Sequence, residues 1–273
     1  MSDKGVPEPA ARRRPAYELI ADDLRTQIRE GVYPADARLP TMARLAAEYE
    51  VSDIVIRRSI ATLKSEGLVE THGRGGIRVR EAPRARRVAM SRYTNPVSAT
   101  APEPAEQATA FTRDHQITWS QYRLDKEFSR VTASPEIAGL LGREPGTELL
   151  RRHFIFYAAD VPSQISVNYL PWDIVGGTPV ADPAREPWPG GTAAQCAFLG
   201  HPLTRVEESV RSRMPTSEEA RILRMPTGVP VLTITRRMLS AATVMEVCRD
   251  IVIPADRVIL DYAIDLAPRG PES

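Results

Sequence analysis

Apolar residues in the first quarter of the chain recur three or four positions apart, which is the spacing of helices that bury one face. The first predicted helix begins after Pro15 and ends before Gly31, the second follows Thr41, and the third lies between Ser52 and Gly67. Thr41 and Ser52 can accept a hydrogen bond from the first turn of the helix that follows each of them. The buried stripes are predicted at Tyr17, Ile20, Leu24 and Ile28, then Leu45, Ala46 and Tyr49, then Ile56, Ile60 and Leu63.

The pattern changes after the third helix to two short runs with strand character, residues 68–71 and 77–80. The connection between them is rich in glycine and carries Arg74. Two short helices joined by a tight turn and followed by a basic hairpin are typical of a winged helix-turn-helix. In that arrangement the second helix of the pair enters the major groove, and the wing reaches the backbone or the minor groove. The alternative is a three-helix packing unit with solvated arginines.

Beyond Phe111 the chain alternates between strand-like and helix-like segments, which predicts an α+β domain built on one sheet. The predicted strands are residues 149–157, 164–169, 206–214, 231–239, 244–253 and 259–266. The predicted helices are one from Ser134 to Gly142, one with a Thr192–Gln195 capping box that ends at Gly200, and one with a Thr216–Glu219 capping box.

This organisation divides the 273 residues into two domains. The predicted parts are an N-terminal tail (1–14), a head (15–80), a linker (81–86), a larger body (87–267) and a C-terminal tail (268–273). Residues 1–92 hold 18 Lys and Arg against 13 Asp and Glu, a net charge of +5, and the remainder holds 18 against 22, a net charge of −4. A basic head on an acidic body is typical of a DNA-binding domain joined to a domain that does not bind DNA.

The composition argues against several other classes of protein. The chain has no run of about 18 apolar residues and no secretory signal, so a cytoplasmic protein without membrane contact is expected. Cys196 and Cys248 have no cysteine or histidine partner at ligand spacing, so no metal, cofactor or disulfide is expected. A glycine-flanked serine elbow, paired histidine ligands and a phosphate-binding loop are also missing, so no catalytic residue is predicted.

The head resembles the GntR family of bacterial transcription regulators. The residues that carry the resemblance are Arg38-Leu39-Pro40-Thr41, Leu45-Ala46, Val51-Ser52, Arg57-Arg58, Leu63, Glu66-Gly67-Leu68-Val69 and Gly73-Arg74-Gly75. The resemblance implies binding to double-stranded operator DNA. The candidate contacts are Thr41 and Ser52 to phosphate, Arg44, Arg57 and Arg58 to phosphate or base edges, and Gly73, Arg74 and Gly75 at the wing.

The head departs from the family pattern at the start of the third helix. The family usually has an arginine after the capping serine and a threonine two residues later, where this chain has Asp53 and Val55. An Asp53 that faces DNA would accept a hydrogen bond from a cytosine amino group, and the alternative is a helix-start charge that contacts nothing. Ala43 replaces the common arginine of the second helix, and Arg44 either substitutes for that arginine or contacts only phosphate.

The body resembles the UTRA effector domain of the HutC branch of the same family. The resemblance covers residues 87–267 and rests on the order of Pro162, Tyr169-Leu170-Pro171, Leu199-Gly200-His201, Glu207-Glu208, Glu218-Glu219-Ala220, Leu223, residues 228–232, Glu246 and Ala255-Asp256-Arg257. It implies a chorismate-lyase-like fold, in which helices pack on an antiparallel sheet, and a body that dimerises and binds an effector. The expected fold class is therefore an α+β winged helix-turn-helix followed by an α+β UTRA domain.

The resemblance also places an effector pocket. Members that sense sugar phosphates use two arginines and a glutamate at positions that align with Phe154, Phe156 and Ser166. Without both guanidiniums a phosphate loses its bidentate partners, so a phosphorylated sugar is not expected as the effector. Glu246 matches the family's ligand-facing acid, and Val252 stands where a tyrosine is common. These residues predict a largely apolar pocket with one acid, suited to a hydrophobic or amine-bearing ligand, unless the aromatic residues only fill the core.

The combined expectation is a homodimeric repressor that a small molecule releases from a pseudo-palindromic operator. One alternative is an effector-independent repressor of the plasmid-transfer-regulator type, whose body only dimerises. An alternative from another class is a lyase-like enzyme on the same fold. Activation instead of repression would use the same contacts with DNA.

Overall fold

The computed structural model describes residues 14–71, 76–80, 85–88, 92–93 and 108–262. These residues form two compact units, a smaller N-terminal head and a larger body. In the ranges described, no helix is long and apolar enough to cross a membrane.

The head contains three helices and a small antiparallel sheet. Its elements are α1 (Ala16–Arg29), α2 (Met42–Glu48), α3 (Asp53–Ser65), β1 (Val69–Thr71) and β2 (Ile77–Val79). The three predicted helices and the two strands of the wing are therefore confirmed. Val69 pairs with Val79, and Thr71 pairs with Ile77 at the end of the ladder. The predicted wing contacts Gly73, Arg74 and Gly75 lie outside the described residues.

One hydrophobic core holds the head together, and the predicted helical stripes supply most of it. Its buried members are Ile20, Ala21, Leu24, Leu39, Leu45, Ile56, Ile60, Leu63, Val69, Ile77 and Val79. The chain turns between α2 and α3 with Glu50 in the left-handed region, at a φ of 53°. The backbone N–H of Val51 donates to the carbonyl of Ala46 at 3.0 Å and closes this turn. The short connection and the shared core together fix the angle between α2 and α3.

The body is an α+β unit built on a six-stranded antiparallel sheet. The strands of the whole body are β3 (Ala85–Val88), β4 (Tyr122–Thr132), β5 (Glu148–Ala158), β6 (Val161–Pro171), β7 (Arg205–Arg213), β8 (Val231–Ser240), β9 (Thr243–Pro254) and β10 (Val258–Asp261). Its helices are α4 (Ala110–His115), α5 (Pro135–Leu141), α6 (Trp172–Val175), α7 (Gly191–Phe198) and α8 (Ser217–Ile222). The order of strands in the large sheet is β4–β5–β6–β9–β8–β7.

The edges of the body differ from the sequence prediction. β3 pairs in parallel with β10, so Ala85 and Arg86 belong to a strand and not to the predicted linker 81–86. The body therefore has a second, small sheet in addition to the single predicted one. β4 was not predicted as a strand, because this edge strand is polar and has no fully buried side chain. The last predicted strand, 259–266, is observed as β10, and residues 263–266 lie outside the described part of the chain.

One of the two predicted capping boxes in the body is wrong. The Thr216–Glu219 box is present at the start of α8. At the start of α7, in contrast, the N-cap residue is Gly190, and no side chain caps the helix. Thr192 and Gln195 direct their side chains into a buried ionic network instead.

The large sheet separates two layers of the body. α5 packs on one face, in a core that includes Leu149, Leu239 and Val247. On the opposite face, side chains of β5 and β6 that alternate along each strand point into a cavity. Residues of α4 and of the first turn of α7 complete the cavity wall.

Candidate DNA-binding surface and ligand cavity

The outer side of α3 is exposed and mixed in charge. Asp53, Ile54, Arg57 and Arg58 are exposed, and Ile54 is 77% accessible. The opposite side of the helix buries Ile56, Ser59, Ile60 and Leu63 in the head. Asp53 and Arg57 are four residues apart and so lie on one side of α3, but no ion pair joins them. Both charges are therefore available to groups outside the head.

The two adjacent arginines of α3 have different surroundings. The guanidinium of Arg58 lies over the ring of Tyr17 in α1, 3.9 Å from its centroid. Arg57 makes no side-chain hydrogen bond or ion pair with any residue that the structure describes. We therefore assign Arg57 as the free cation of the exposed face and Arg58 as a residue already engaged with α1.

The other predicted contacts of the head lie at helix starts. Thr41 is exposed, and its hydroxyl accepts a hydrogen bond from the backbone N–H of Arg44 at 3.3 Å. Ser52 is the N-cap residue of α3, but its hydroxyl makes no capping bond and is exposed. Arg44 is also exposed. The Thr41 hydroxyl accepts within α2 but keeps its O–H to donate to a phosphate, and the Ser52 hydroxyl is free to do the same at the positive end of α3.

The body contains a cavity of about 120 Å³. Arg152, Phe154 and Phe156 enter it from β5, since residues two apart on a strand share a face. Other residues of the wall include Arg92, Phe111, Arg113, Ser166, Asn168, Trp188, Gly190, Gly191, Thr192, Ala193, Arg236 and Ile251. The wall combines a cluster of aromatic rings with several guanidinium groups.

A fully buried carboxylate, Glu246 of β9, organises the charged side of the cavity. Its Oε1 accepts a hydrogen bond from Nη2 of Arg236 at 2.6 Å. Its Oε2 accepts from Nη2 of Arg152 at 2.9 Å, from Nδ2 of Asn168 at 2.9 Å and from the hydroxyl of Thr192 at 2.8 Å. The strands β5, β6 and β8 and the first turn of α7 each donate to this one carboxylate of β9, and each of the four donors lines the cavity.

Further hydrogen bonds hold this network in one arrangement. Oδ1 of Asn168 accepts from the hydroxyl of Ser166 at 3.1 Å and from Sγ of Cys248 at 3.3 Å, which directs Nδ2 of Asn168 towards Glu246. Gln195 accepts from Nη1 of Arg152 at 2.7 Å and donates to Glu186 at 2.7 Å. Most polar atoms of the network are hydrogen bonded, which favours one well-defined geometry, and the exceptions among its described atoms are Nε of Arg152 and Nε of Arg236.

The electrostatics of the network keep Glu246 ionised. Burial alone would raise the pKa of Glu246, but the guanidiniums of Arg236 and Arg152 and the hydrogen bond from Thr192 hold that pKa below its ordinary value. Burial raises the pKa of Cys248 to about 12. The thiol of Cys248 is therefore protonated at neutral pH and acts as a weak donor within the network.

Comparison with known proteins gives this architecture a family. Residues 16–79 match the family described as bacterial regulatory proteins, gntR family, and residues 126–258 match the UTRA domain. A solved GntR-family transcriptional regulator is 30% identical, with a TM-score of 0.61 over 93% of this chain and 99% of that chain. The chain belongs to the GntR family. It is a DNA-binding transcription regulator whose GntR head is joined to a UTRA domain, as in the HutC branch.

Two curated relatives of this GntR regulator match along most of their length. The histidine utilization repressor of Klebsiella aerogenes is 26% identical over 92% of this chain and 95% of the relative. The transcriptional repressor NagR of Bacillus subtilis is 25% identical over 81% of this chain and 83% of NagR. Both alignments run through the head and the body, so the likeness covers the two-domain arrangement and not the head alone.

The structure brings together four of the predicted effector residues of this GntR regulator. Phe154, Phe156 and Ser166 lie on the cavity wall, and Glu246 is bonded to groups of that wall. Val252 lies elsewhere, in a hydrophobic cluster with Ile165, Leu223 and Val231. The adjacent Ile251 lines the cavity, and neighbouring residues on a strand point to opposite faces, which explains the position of Val252.

The predicted chemistry of the pocket needs correction. The sequence prediction was a largely apolar pocket with a single acid, but Arg92, Arg113, Arg152 and Arg236 all line the cavity of this GntR regulator. The acid does not stand alone, because Arg152 and Arg236 compensate Glu246. An amine-bearing ligand would meet a cationic wall, so the structure does not favour that class.

Sequence reasoning missed Arg152 and Arg236 as site residues. A usable signal for Arg152 was present, because it alternates with Phe154 and Phe156 along one strand and so shares their buried face. A buried arginine at such a position requires an acidic partner, and Glu246 was the one acid already assigned to the pocket. No comparable signal marked Arg236, which is followed directly by the partly exposed Arg237.

Proposed function

We propose that this GntR regulator is a homodimeric repressor that leaves its operator when a small molecule occupies the cavity of the body. The observation that carries the proposal is a cavity lined by aromatic rings and guanidiniums in the domain that does not contain the DNA-binding helix. The names of two relatives as repressors support repression as the direction of control. The site of action under this proposal is the cytoplasm, where bacterial operator DNA lies.

The ionic network supports a role for the cavity in control. Thr192 in the first turn of α7 and Arg152 in the sheet both line the cavity, and both hydrogen bond to the buried Glu246 behind the wall. A ligand that contacts the wall changes the balance of these bonds and therefore the position of α7 relative to the sheet. Such a ligand shifts the protein towards the arrangement that it binds best, which under the proposal does not bind operator DNA.

We further propose that the body binds its ligand without chemical turnover. Two titratable groups near the cavity, His115 and Cys196, have pKa values far from neutral pH. Burial and the charges of Arg92 and Arg87 lower the pKa of His115 to about 4, and burial raises the pKa of Cys196 to about 12. A general acid or base works best with a pKa close to the working pH, which neither group has.

Operator binding tests the proposal first. Purified full-length protein is incubated with a pool of random duplexes, bound sequences are selected, and the best is titrated against salt. The expected result is a two-fold symmetric motif with a steep negative salt slope, together with a dimer in sedimentation equilibrium. An asymmetric motif bound by a monomer would contradict the dimeric repressor.

Release by a small molecule is the second part of the test. Fractions of a bacterial metabolite extract are added to the complex of protein and operator, and fluorescence anisotropy of labelled DNA is followed. At least one fraction is expected to weaken operator binding by about 5- to 150-fold, the usual range of allosteric coupling. If a fraction binds the protein but leaves the operator complex intact, the body is only a dimerisation domain and effector-controlled release is wrong.

A further inference from the structure

The charged groups around the cavity do not balance, and the following argument rests on the proposed function of the cavity as an effector site. Arg92, Arg113, Arg152 and Arg236 line the wall. The carboxylates in ion pairs with them within the described residues are Asp114 on Arg92, Glu246 on Arg152 and Arg236, and Glu186 at 3.5 Å from Arg152. Glu208 also lies near Arg92 and Arg236, but its charge is balanced by its own ion pair with Arg87. Four cations therefore face three anions. Of the four arginines, Arg113 is the one that has no ion pair with a described residue.

Two further kinds of hydrogen-bond donor are available at the wall. The first turn of α7, at Gly190–Ala193, lines the cavity, and no side chain caps it. The N–H groups of Gly190 and Gly191 already donate to the carbonyls of Ala108 and Trp188, at 2.8 and 2.9 Å. Among the described residues, the N–H groups of Thr192 and Ala193 have no such acceptor and favour an anion. In addition, Nε of Arg152 and Nε of Arg236 are buried without a hydrogen-bond partner among the described residues. Because the Arg152 side chain is only 1% exposed, bulk water does not replace that partner.

The remainder of the wall limits the size and nature of a ligand. Phe111, Phe154 and Phe156 form one aromatic cluster, with ring centroids 5.2 Å apart for Phe111 and Phe156 and 5.8 Å apart for Phe154 and Phe156. The cavity volume is about 120 Å³, and an engineered cavity of roughly 150 Å³ is known to take up benzene. One ring or a short alkyl chain therefore fits.

We propose that the effector is a small monoanion, a carboxylate carried by an aromatic ring or a short apolar chain. The carboxylate accepts hydrogen bonds from the first turn of α7 and from the arginines, and the apolar part packs on Phe154 and Phe156. A phosphate monoester would place about two negative charges against a single unbalanced positive charge. Arg152 and Arg236 also each have one Nη group already committed to Glu246, so neither of these two arginines can hold a phosphate with both Nη groups.

Trp188 lies on the cavity wall and provides a readout of binding by fluorescence. Full-length protein is titrated with benzoate, phenylacetate and hexanoate, each beside its neutral amide, and with phenethylamine and phenyl phosphate. At least one carboxylate is expected to bind about tenfold more tightly than its amide and than phenethylamine, because a charge-assisted hydrogen bond is lost in the neutral compound. Binding of the amides or the amine as tight as that of the carboxylates would overturn the inference, as would tightest binding of phenyl phosphate or no binding by any carboxylate at millimolar concentration.

Two variants locate the binding site. Arg113→Gln removes the unpaired cation at an exposed position and is expected to weaken carboxylate binding several-fold with little effect on amide binding. The matched control is Arg221→Gln, which removes an equally exposed arginine of α8 that does not line the cavity. Equal loss of carboxylate binding in both variants would show a general charge effect and would contradict a site in the cavity.

A parallel measurement separates this inference from the proposed function. Operator binding is followed while the best carboxylate is added. If the carboxylate binds but the operator complex persists, the ligand class stands and effector-controlled release fails. If a neutral or cationic fraction releases the operator and no carboxylate binds, release stands and the ligand class fails.

A second inference rests on a separate observation in the head. Ile54 is an apolar, β-branched residue in the first turn of α3, yet 77% of it is exposed, between the two free charges Asp53 and Arg57. The first turn of a recognition helix is the part that lies against base edges in the major groove. The apolar group that a base offers there is the 5-methyl group of thymine. We infer that Ile54 contacts a thymine methyl group and fixes thymine at one position of each half-site.

Replacing single thymines of the selected operator by deoxyuridine removes that methyl group and leaves base pairing intact. At one thymine of each half-site the change is expected to weaken binding about fourfold, the effect of exposing one apolar carbon. The Ile54→Ala protein should bind the two DNAs equally well at that position, while the control Val32→Ala, which changes an exposed apolar residue outside α3, keeps the difference. The contact would be refuted if deoxyuridine at no thymine position weakened binding by the wild type, or if it still weakened binding by the Ile54→Ala protein at that position.

Discussion

Arg57→Ala is expected to weaken binding to the selected operator by about 5- to 150-fold, which corresponds to the loss of about 1–3 kcal/mol for one good base contact. Arg57 is exposed on the outer side of α3 and has no partner among the described residues. The neighbouring Arg58 lies over Tyr17, so Arg58→Ala removes a contact within the head and should weaken operator binding less. The two variants carry the same change of charge and differ only in what the arginine contacts.

Anisotropy titrations at several salt concentrations distinguish the kind of contact that Arg57 makes. If Arg57 contacts a base edge, Arg57→Ala will reduce the difference in affinity between the operator and random DNA. If it contacts only phosphate, affinity will fall equally for both DNAs and the salt slope will decrease by about one. Equal losses for Arg57→Ala and Arg58→Ala would contradict the assignment of Arg57 as the free cation of α3.

The head could be predicted almost completely from the sequence, because its elements are defined by local signals. The apolar stripes of the three helices predicted the core, and Thr41 and Ser52 marked the starts of α2 and α3. What the sequence did not contain was the surroundings of individual arginines. The contact between Arg58 and Tyr17 joins two helices that are distant in sequence, and helical periodicity gives no information on such pairs.

The body was less predictable, for reasons that particular residues make clear. The pattern at Thr192 and Gln195 satisfies the rule for a capping box, but the buried Glu246 and Arg152 compete for the same side chains and bind them instead. Glu246 lies on a different strand from Arg152, so the ion pair is formed only when β5 and β9 are placed in one sheet. The strand prediction missed the polar edge strand β4 and the short strand β3, although it found β7, an edge strand that is also polar.

Glu246→Ala is expected to destabilise the body by about 3–5 kcal/mol, because it leaves two buried guanidiniums without their counter-charge. Arg152 and Arg236 both hydrogen bond to this carboxylate, and the Glu246 side chain is fully buried. The tryptophans are Trp119, Trp172 and Trp188, all in the body, so urea unfolding followed by tryptophan fluorescence reports on the body and not on the head. The control Glu207→Ala breaks the partly exposed pairs with Arg205 and Arg237 and should cost about 1 kcal/mol or less.

The contribution of Glu246 should also depend on pH in one direction. Its pKa is lowered in the folded protein, so its stabilisation is fully present above the unfolded-state pKa of about 4.3 and is lost as the pH falls through the lower folded-state value. The difference in unfolding free energy between wild type and Glu246→Gln should therefore stay constant from about pH 8 to pH 5 and shrink only in stronger acid. A difference that already grows as the pH falls from 8 to 6 would mean that the folded protein takes up a proton at Glu246. In that case the charge balance of the cavity, with its single unpaired cation, would have to be recounted.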